Sequence, residues 1–414
     1  MSSVADSSPA GRAAFRYPAF KLFALARFFS VAAIEMQSVA VGWQVYEITS
    51  RPLDLGLVSL AQFLPGILLF LVAGYVADRY ERRKVLMFGY AGLALSSGLL
   101  AWIAQNRPHA VHPIYAVMLL VGVVRSLMSP AGRSIVPLLV AEEHLQNAVA
   151  WNATVFQAAT ILGPALGGLA YTFLRGPAVY AIAAATSLGG AMAMLSMRPR
   201  SQRLSGERAS WTTTLAGLRY IWRRKLILGS ISLDLFAMLL GGAVALLPVY
   251  ARDVLTAGPW ALGLLRCAPG IGASTMAILL AYRPLRRRVG RTMLWCVAGF
   301  GAFTILFGIS RNLTLSLVAL ALVGAADTVS VVIRAVLIQV ATPDEMRGRV
   351  TAVEMIFIGA SNELGGFESG VTAQWFGAVP AVILGGVGAL VVTAVWAWAF
   401  PELRNADEFT PPHE

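Results

Sequence analysis

Gly74-Tyr75-Val76-Ala77-Asp78-Arg79-Tyr80-Glu81-Arg82-Arg83-Lys84 is a burst of charge set between two long apolar runs. On either side, Leu55 to Val76 and Val85 to Gln105 are each about as long as the roughly 20 apolar residues that cross a bilayer. The stretch reads as a tight loop between two membrane spans. Its four cations, Arg79, Arg82, Arg83 and Lys84, predict a cytoplasmic location, because short loops rich in Lys and Arg are retained on that side. An ordinary basic turn would account for the cations but not for Gly74 and Asp78.

The whole chain agrees with the loop. Of 414 residues, 57% are hydrophobic and only 13% charged, where a soluble protein carries about 25% charged residues. The net charge of +12 would elsewhere point to nucleic acid; here the cations cluster in loops on one side, which is topology and not a nucleic-acid footprint. Cys267 and Cys296 both lie in apolar runs, so no disulfide framework is implied. The apolar run after the polar first 19 residues is too long for a signal peptide and lacks an Ala-x-Ala site, so the N-terminus is expected to stay, and to stay inside.

Twelve runs are long enough to span: about 20–47, 54–77, 85–105, 112–137, 147–172 and 177–197, then 226–250, 260–282, 291–310, 314–339, 349–375 and 377–400. With both termini inside, cytoplasmic segments, counting Lys21, Arg133, Arg291 and Arg349 at the adjoining span ends, hold 24 of the 33 Lys and Arg residues, outer loops five, and span interiors four. The chain divides into a tail at 1–19, a bundle at 20–197, a linker at 198–225, a bundle at 226–400 and a tail at 401–414. In the linker, Trp211, Leu215, Leu218 and Trp222 recur at helical spacing, which fits either an interfacial helix or a solvated connection. The halves repeat: Leu55-Gly56-Leu57 has a counterpart in Leu262-Gly263-Leu264, and Arg133 in Arg334. The second basic loop, Arg286 to Arg291, has Leu285 nearest the place of Asp78. Two parallel repeats of six spans form a substrate site at the midplane, between the halves.

The pattern Gly-x-x-x-Asp-Arg-x-x-Arg-Arg closely resembles the loop between spans 2 and 3 of the major facilitator superfamily of secondary transporters, with Glu81 where that family usually has Gly. Gly163-Pro164-Ala165-Leu166-Gly167-Gly168 is similar to the core of the motif in the superfamily's antiporters, with Ala159 in place of the leading Gly; this implies export. Met346 to Ala352 and Gly359 to Gly365 resemble the branch that contains the enterobactin exporter, described as secreting siderophores and related compounds. The resemblance implies an all-α membrane protein of twelve helices in two pseudo-symmetric six-helix bundles.

Ten ionisable residues fall within the spans away from their ends: Arg27, Glu35, Arg125, Asp234, Arg266, Asp327, Arg334, Glu354, Glu363 and Glu368. Exposing them to lipid would cost on the order of 25 kcal/mol, beyond a folding margin of about 5 to 15 kcal/mol. Most must face a wet cavity or one another. Arg27, Glu35, Ser38, Gly42 and Tyr46 lie close to one helical face, with Ser30, Gln37 and Gln44 beside it. Span 7 is the repeat partner of span 1, so Glu35 and Asp234 are expected to approach the midplane from opposite halves as proton-coupling groups. The rival reading is a static pair of Glu35 with Arg27 or Arg125. Asp327, Ser330 and Arg334 share a face and predict a bridge, and the span 11 acids read as mainly structural. Arg27, Arg125 and Arg266 offer attraction to an anion.

No Gly-x-x-x-x-Gly-Lys-[Ser/Thr] loop, His-Glu-x-x-His pair or Gly-x-Ser-x-Gly elbow is present, and the four His residues lie outside the spans. The expectation is a non-enzyme without cofactor or metal, a monomer of the inner or plasma membrane with both termini cytoplasmic. It is expected to export a small siderophore-like or drug-like molecule in exchange for protons. Uptake or uncoupled transport by the same fold, and a scaffold or sensor that does not transport, stand as alternatives. In the loop, Asp78 can accept from a helix N-terminus or pair with Arg133, while Arg79, Arg82 and Arg83 reach acids or lipid phosphates, latching the bundles when the cavity opens outward. Asp78→Asn is expected to slow transport and raise cytoplasmic accessibility of the cavity; unchanged labelling of cavity cysteines in that variant would count against the latch.

Overall fold

A computed structural model describes residues 10–197, 211–285 and 287–409. The Asp78 side chain, residues 198–210, Arg286 and the side chains of Trp211 and Leu215 lie outside the described residues. The chain runs α1 (Pro18–Thr49), α2 (Pro52–Leu68), α3 (Phe70–Arg79), α4 (Arg82–Asn106), α5 (His112–Ser134), α6 (Leu145–Ser196) and α7 (Trp211–Arg223). It continues through α8 (Lys225–Gly241), α9 (Leu247–Val249), α10 (Pro259–Tyr282), α11 (Val289–Ile309), α12 (Leu313–Ala341), α13 (Asp344–Phe376), α14 (Ala378–Ala399) and α15 (Pro401–Arg404). No strand occurs among the described residues.

Eight helical stretches among the described residues are long and apolar enough to cross a membrane. One of them turns back at Arg175, whose φ of 63° is followed by Gly176 and Pro177, and so crosses twice. The α2–α3 pair, α1 and α13 complete twelve crossings, each carrying polar residues that the bundles turn inward.

Two spans depart from the single helices the hydropathy predicts. The second breaks at Leu69 (φ −99°, ψ 6°), one turn after Pro65, which has no N–H to donate and crowds the preceding carbonyl. The seventh stops at Gly242, passes through a 3-10 turn at Ala243–Leu246 and α9, and ends in a π-turn at Tyr250–Val254. Gly241-Gly242 and Pro248 are the local cause, since glycine leaves the helical well readily and proline cannot extend the ladder.

Helices α1 to α6 pack as one bundle and α8 to α14 as the other. Small residues let the backbones meet: a Cβ on Gly272 would fall 1.7 Å from Ala321 O, and one on Gly324 2.0 Å from Pro269 O. The chain ends lie on one face. Gly11 O accepts from Asn147 Nδ2 (3.1 Å) and Trp151 Nε1 (2.8 Å), and Gly290 N–H donates to Ala406 O at 3.0 Å. Helix α7 docks on the second bundle there, with Tyr220 Oη donating to Ala341 O at 3.1 Å and Gly217 against the Arg349 backbone.

The halves are clamped on the opposite face. Arg252 Nη1 donates to Tyr46 O at 2.9 Å, and the Tyr46 hydroxyl donates to Asp253. Helix α2 crosses α13 where a Cβ on Gly370 would lie 2.8 Å from Gly56 Cα, and α6 crosses α10 where one on Gly263 would lie 2.6 Å from Pro164 O. Nearer the midplane, Gln157 Nε2 donates to Gly270 O at 3.2 Å. On the terminal face, Arg82 Nη1 donates to Ser134 O (2.8 Å) and Arg83 Nη1 to Met197 O (2.6 Å), acceptors of its own bundle, and Arg79 lies over the Tyr75 ring.

Widening one of these crossings opens the clamp. Gly370→Val is expected to lengthen the distance between spin labels at Arg107 and Arg311, on the far-face loops of the two bundles, by several ångströms; an unchanged distance distribution would show that the crossing does not hold that face shut.

Candidate functional site

Between the bundles lies a cavity of about 310 Å3. The first bundle lines it with Glu35, Gln37, Ser38 and Gly42 of α1, Ser59 and Gln62 of α2, and Met118 and Arg125 of α5. The second contributes Gly242, Val244, Ala245 and Pro248 of the broken span, Arg266 of α10, and Asn362, Glu363 and Gly366 of α13. Ile34, Ser38, Val41 and Gly42 follow helical spacing, so one stripe of α1 faces the cavity along its length. The break after α8 brings Gly242 and the 3-10 turn at Val244 and Ala245 to the cavity wall, with Gly242 O accepting from Ser369 Oγ at 3.0 Å; discontinuous spans are a recurring feature of carrier sites.

Helix α6 is drawn against both halves at this level. A Cβ on Gly163 would stand 2.7 Å from Glu35 Cβ, and one on Gly167 2.7 Å from Met36 Cα. Gly168 turns the other way, where a Cβ would stand 2.8 Å from Gly263 Cα of α10. The Gly163-Pro164-Ala165-Leu166-Gly167-Gly168 segment thus packs α1 with two of its glycines and the opposite bundle with Gly168 and the Pro164 carbonyl.

Each half supplies one acid and one base. Glu35 has Arg266 as its first charged neighbour, and Glu363 has Arg125. Each couple straddles the two bundles. Among the described residues none of the four forms an ion pair, so the charges face one another across the cavity without closing on it. The bases rest on neutral side chains: Arg125 Nη1 donates to Gln62 Oε1 at 3.0 Å, and Arg266 Nη1 donates to Ser38 Oγ. Arg266 Nε is buried with no hydrogen-bond partner. A guanidinium carries five donors, so both arginines keep donors for a bound molecule. Gln37 borders the cavity with its Oε1 already accepting from Ser97 Oγ at 2.6 Å.

The expected approach of Asp234 to Glu35 is not met. Asp234 Oδ1 stands 2.5 Å from Arg334 Nη1, and Arg334 Nε stands 3.1 Å from Glu354 Oε1, all three side chains buried inside the second bundle. The reason is where α8 ends. Its Asp234 faces Arg334 of α12, and only Met238 of the helix and Gly242 just beyond it reach the cavity. A buried charge is tolerated when paired and hydrogen-bonded, and Arg334 supplies that pairing. The bridge expected of Arg334 with Asp327 is made with Asp234 and Glu354 instead, leaving Asp327 as a charged neighbour of Asp234 and Arg334. Arg27 is also off the cavity: its guanidinium lies 5.3 Å from the Phe156 ring centroid and 6.0 Å from that of Phe23. Arg133 is α5's last-turn cation on the terminal face.

Arg266 and Glu363 were legible as intramembrane charges but not as cavity residues. The signal that would have singled them out is their distance from seam glycines: Arg266 follows Gly263 by three residues and Glu363 precedes Gly366 by three, one helical turn in each case.

Two six-helix bundles clamped on one face over a charged central cavity define an alternating-access membrane carrier. The family model described as transmembrane secretion effector matches residues 9–412, and the chain belongs to that family, within the major facilitator superfamily. It is 27% identical over 413 residues to the enterobactin exporter of Escherichia coli (strain K12), covering 96% of this chain and 95% of that protein, and 28% identical over the same length to that of Shigella boydii serotype 4 (strain Sb227). Among solved structures, a nucleoside transporter superposes with a TM-score of 0.74 at 13% identity, covering 92% of this chain and all of that one. A bacterial homologue of the human lysosomal transporter Spinster, inward-facing and occupied, gives 0.75 at 12%, covering 96% and 99%. The protein is a multi-pass membrane transporter and not an enzyme.

The buried triad makes a stability prediction. Arg334→Met strands Asp234 and Glu354 in the second bundle and is expected to cost about 3–5 kcal/mol, read as a lowered melting temperature in detergent. Adding Asp234→Leu and Glu354→Leu should restore most of it, and a single variant as stable as the parent would mean the triad is not dry.

Proposed function

We propose that the protein exports a small organic molecule, siderophore-like or drug-like, across the inner or plasma membrane in exchange for protons, each chain acting as a complete monomeric carrier. The observation that carries this reading is the pair of acid–base couples, Glu35 with Arg266 and Arg125 with Glu363, each spanning the two halves at the cavity. The relatives' printed activity, enterobactin export, supports the direction and the substrate class.

The termini are cytoplasmic in this reading, supported by 24 of 33 cations falling on their side. The clamped face is then the outer one, and the described state is open inward. A carboxylate in the cavity serves substrate and proton alternately. Facing the cytoplasm, ionised Glu35 and Glu363 and the two arginines bind the substrate. Facing outward, arriving protons neutralise the acids, weaken both couples and let the substrate leave. The protons are given up when the cavity returns inward, so the two ligands compete for the same groups and move in opposite directions.

The cargo is found by comparing metabolites in medium from cells with and without the gene. With that compound in proteoliposomes, Glu35→Gln is expected to lower pH-gradient-driven transport at least about tenfold, in line with removing a proton-transfer group, while leaving exchange without a gradient active. Full gradient-driven transport in both Glu35→Gln and Glu363→Gln would remove the cavity acids from the coupling.

A further inference from the structure

Away from the cavity, the terminal face of the second bundle holds a pocket of about 250 Å3 lined by Arg288, Arg291, Arg404, Asn405, Ala406 and Asp407. Its walls are set by backbone contacts. The Arg288 amide donates to Asp407 Oδ1 at 3.2 Å, Val289 N–H to Asp407 O at 3.4 Å, and Gly290 N–H to Ala406 O at 3.0 Å. Any side chain at Gly290 would come within 1.7 Å of Leu403 O, and Leu403 is fully buried. The segment after α14 is therefore seated on the start of α11, and Glu402 ties it to Lys225 at 3.6 Å.

Three guanidiniums share this pocket with one carboxylate, and among the described residues none of the three has an ion-pair partner. The pocket stands where α11 enters and α14 leaves the membrane. Arg288, Arg291 and Trp295 follow one another at i, i+3 and i+7, on a single stripe. Trp295 is 77% exposed, and Trp398, at the end of α14, is 82% exposed. Exposed indoles at span ends sit at the level of lipid headgroups, with the ring in the acyl boundary and the N–H toward water. Arginines without an ion-pair partner among the described residues, with an exposed indole two turns into α11 and another in the last turn of α14, fit a molecule that has an oxyanion and a hydrocarbon chain.

We propose that this pocket binds the phosphate of an anionic phospholipid, held by Arg288, Arg291 and Arg404, with Trp295 and Trp398 flanking its glycerol and acyl chains. A zwitterionic lipid brings the same phosphate but sets its ammonium against three like charges. Free phosphate satisfies the guanidiniums and leaves the indoles uncovered. Bound there, the lipid joins the start of α11 to the tail after α14. The site is separate from the substrate cavity and does not rest on the direction or coupling of transport.

The test is thermal unfolding of the delipidated full-length protein in detergent, titrated with phosphatidylglycerol, with phosphatidylcholine of the same acyl chains, and with inorganic phosphate. Phosphatidylglycerol is expected to stabilise the protein at a concentration at least about tenfold lower than phosphatidylcholine, from the attraction of the three cations. The preference should vanish in Arg288→Gln/Arg291→Gln/Arg404→Gln and persist in Arg219→Gln/Arg223→Gln/Arg224→Gln, which removes the same charge from α7. Arg291→Gln alone gives a partial loss and serves if the triple variant does not fold. Trp295→Ala should weaken phosphatidylglycerol several-fold and leave phosphate unaffected. An undiminished preference in the pocket variants overturns the site, and stabilisation by phosphate alone at the same concentration overturns the lipid as its occupant.

Discussion

Close approach of backbones through glycine is the constraint on which the described state depends. Gly56 on α2 meets Gly370 on α13, and Gly263 on α10 meets Gly168 on α6. These are the repeated Leu-Gly-Leu positions of the two halves, so the internal repeat places one glycine of each half at a crossing with the other half. A larger side chain at such a crossing would have to displace backbone, which packed interiors resist. In a bilayer, where lipid tails are as apolar as leucine, packing of this kind and interhelical hydrogen bonds replace the hydrophobic drive. The clamp of Tyr46, Arg252 and Asp253 closes the same seam at the face opposite α7.

The cavity follows from the crossings. Because α2 meets α13 and α6 meets α10 at one face, the side chains one or two turns further in, Ser59 and Gln62, Glu363, and Arg266, are left facing a space the helices do not fill. Gly163 lets α6 lie directly on α1 beside Glu35, which turns that carboxylate away from α6 and into the cavity. The unwinding of the seventh span at Gly242 completes the wall. The two cross-bundle couples can neither collapse into ion pairs while the halves are held at this spacing nor ignore one another at low dielectric. That is the physical ground on which the proposed coupling of site charge to movement of the bundles rests.

The fold was legible because its signals are local and strong. Apolar runs of bilayer length, cations in alternate loops and the Gly74 to Lys84 pattern each survive without knowledge of neighbours. Glu35 was legible for the same reason, as a lone acid on a polar stripe of one helix. Asp234 was not, since its repeat relation to span 1 ignored the early end of α8. Whether a charge meets cavity or partner depends on helix rotation, which the pattern of a span rich in small and polar residues leaves open. Arg334 resolved that for three acids at once by drawing Asp234 and Glu354 into the second bundle.

By itself the sequence determined the membrane class, the number of crossings and the two-fold repeat, because hydropathy acts on segments one at a time. Only the tertiary structure decided which intramembrane charges share the cavity and which are buried pairs. It also decided that α6 packs against helices of both halves, and that the tail after α14 closes a basic pocket on α11. These outcomes turn on contacts between residues as far apart as Glu35 and Arg266 or Arg288 and Asp407, whose meeting is set by helix crossings and not by spacing along the chain.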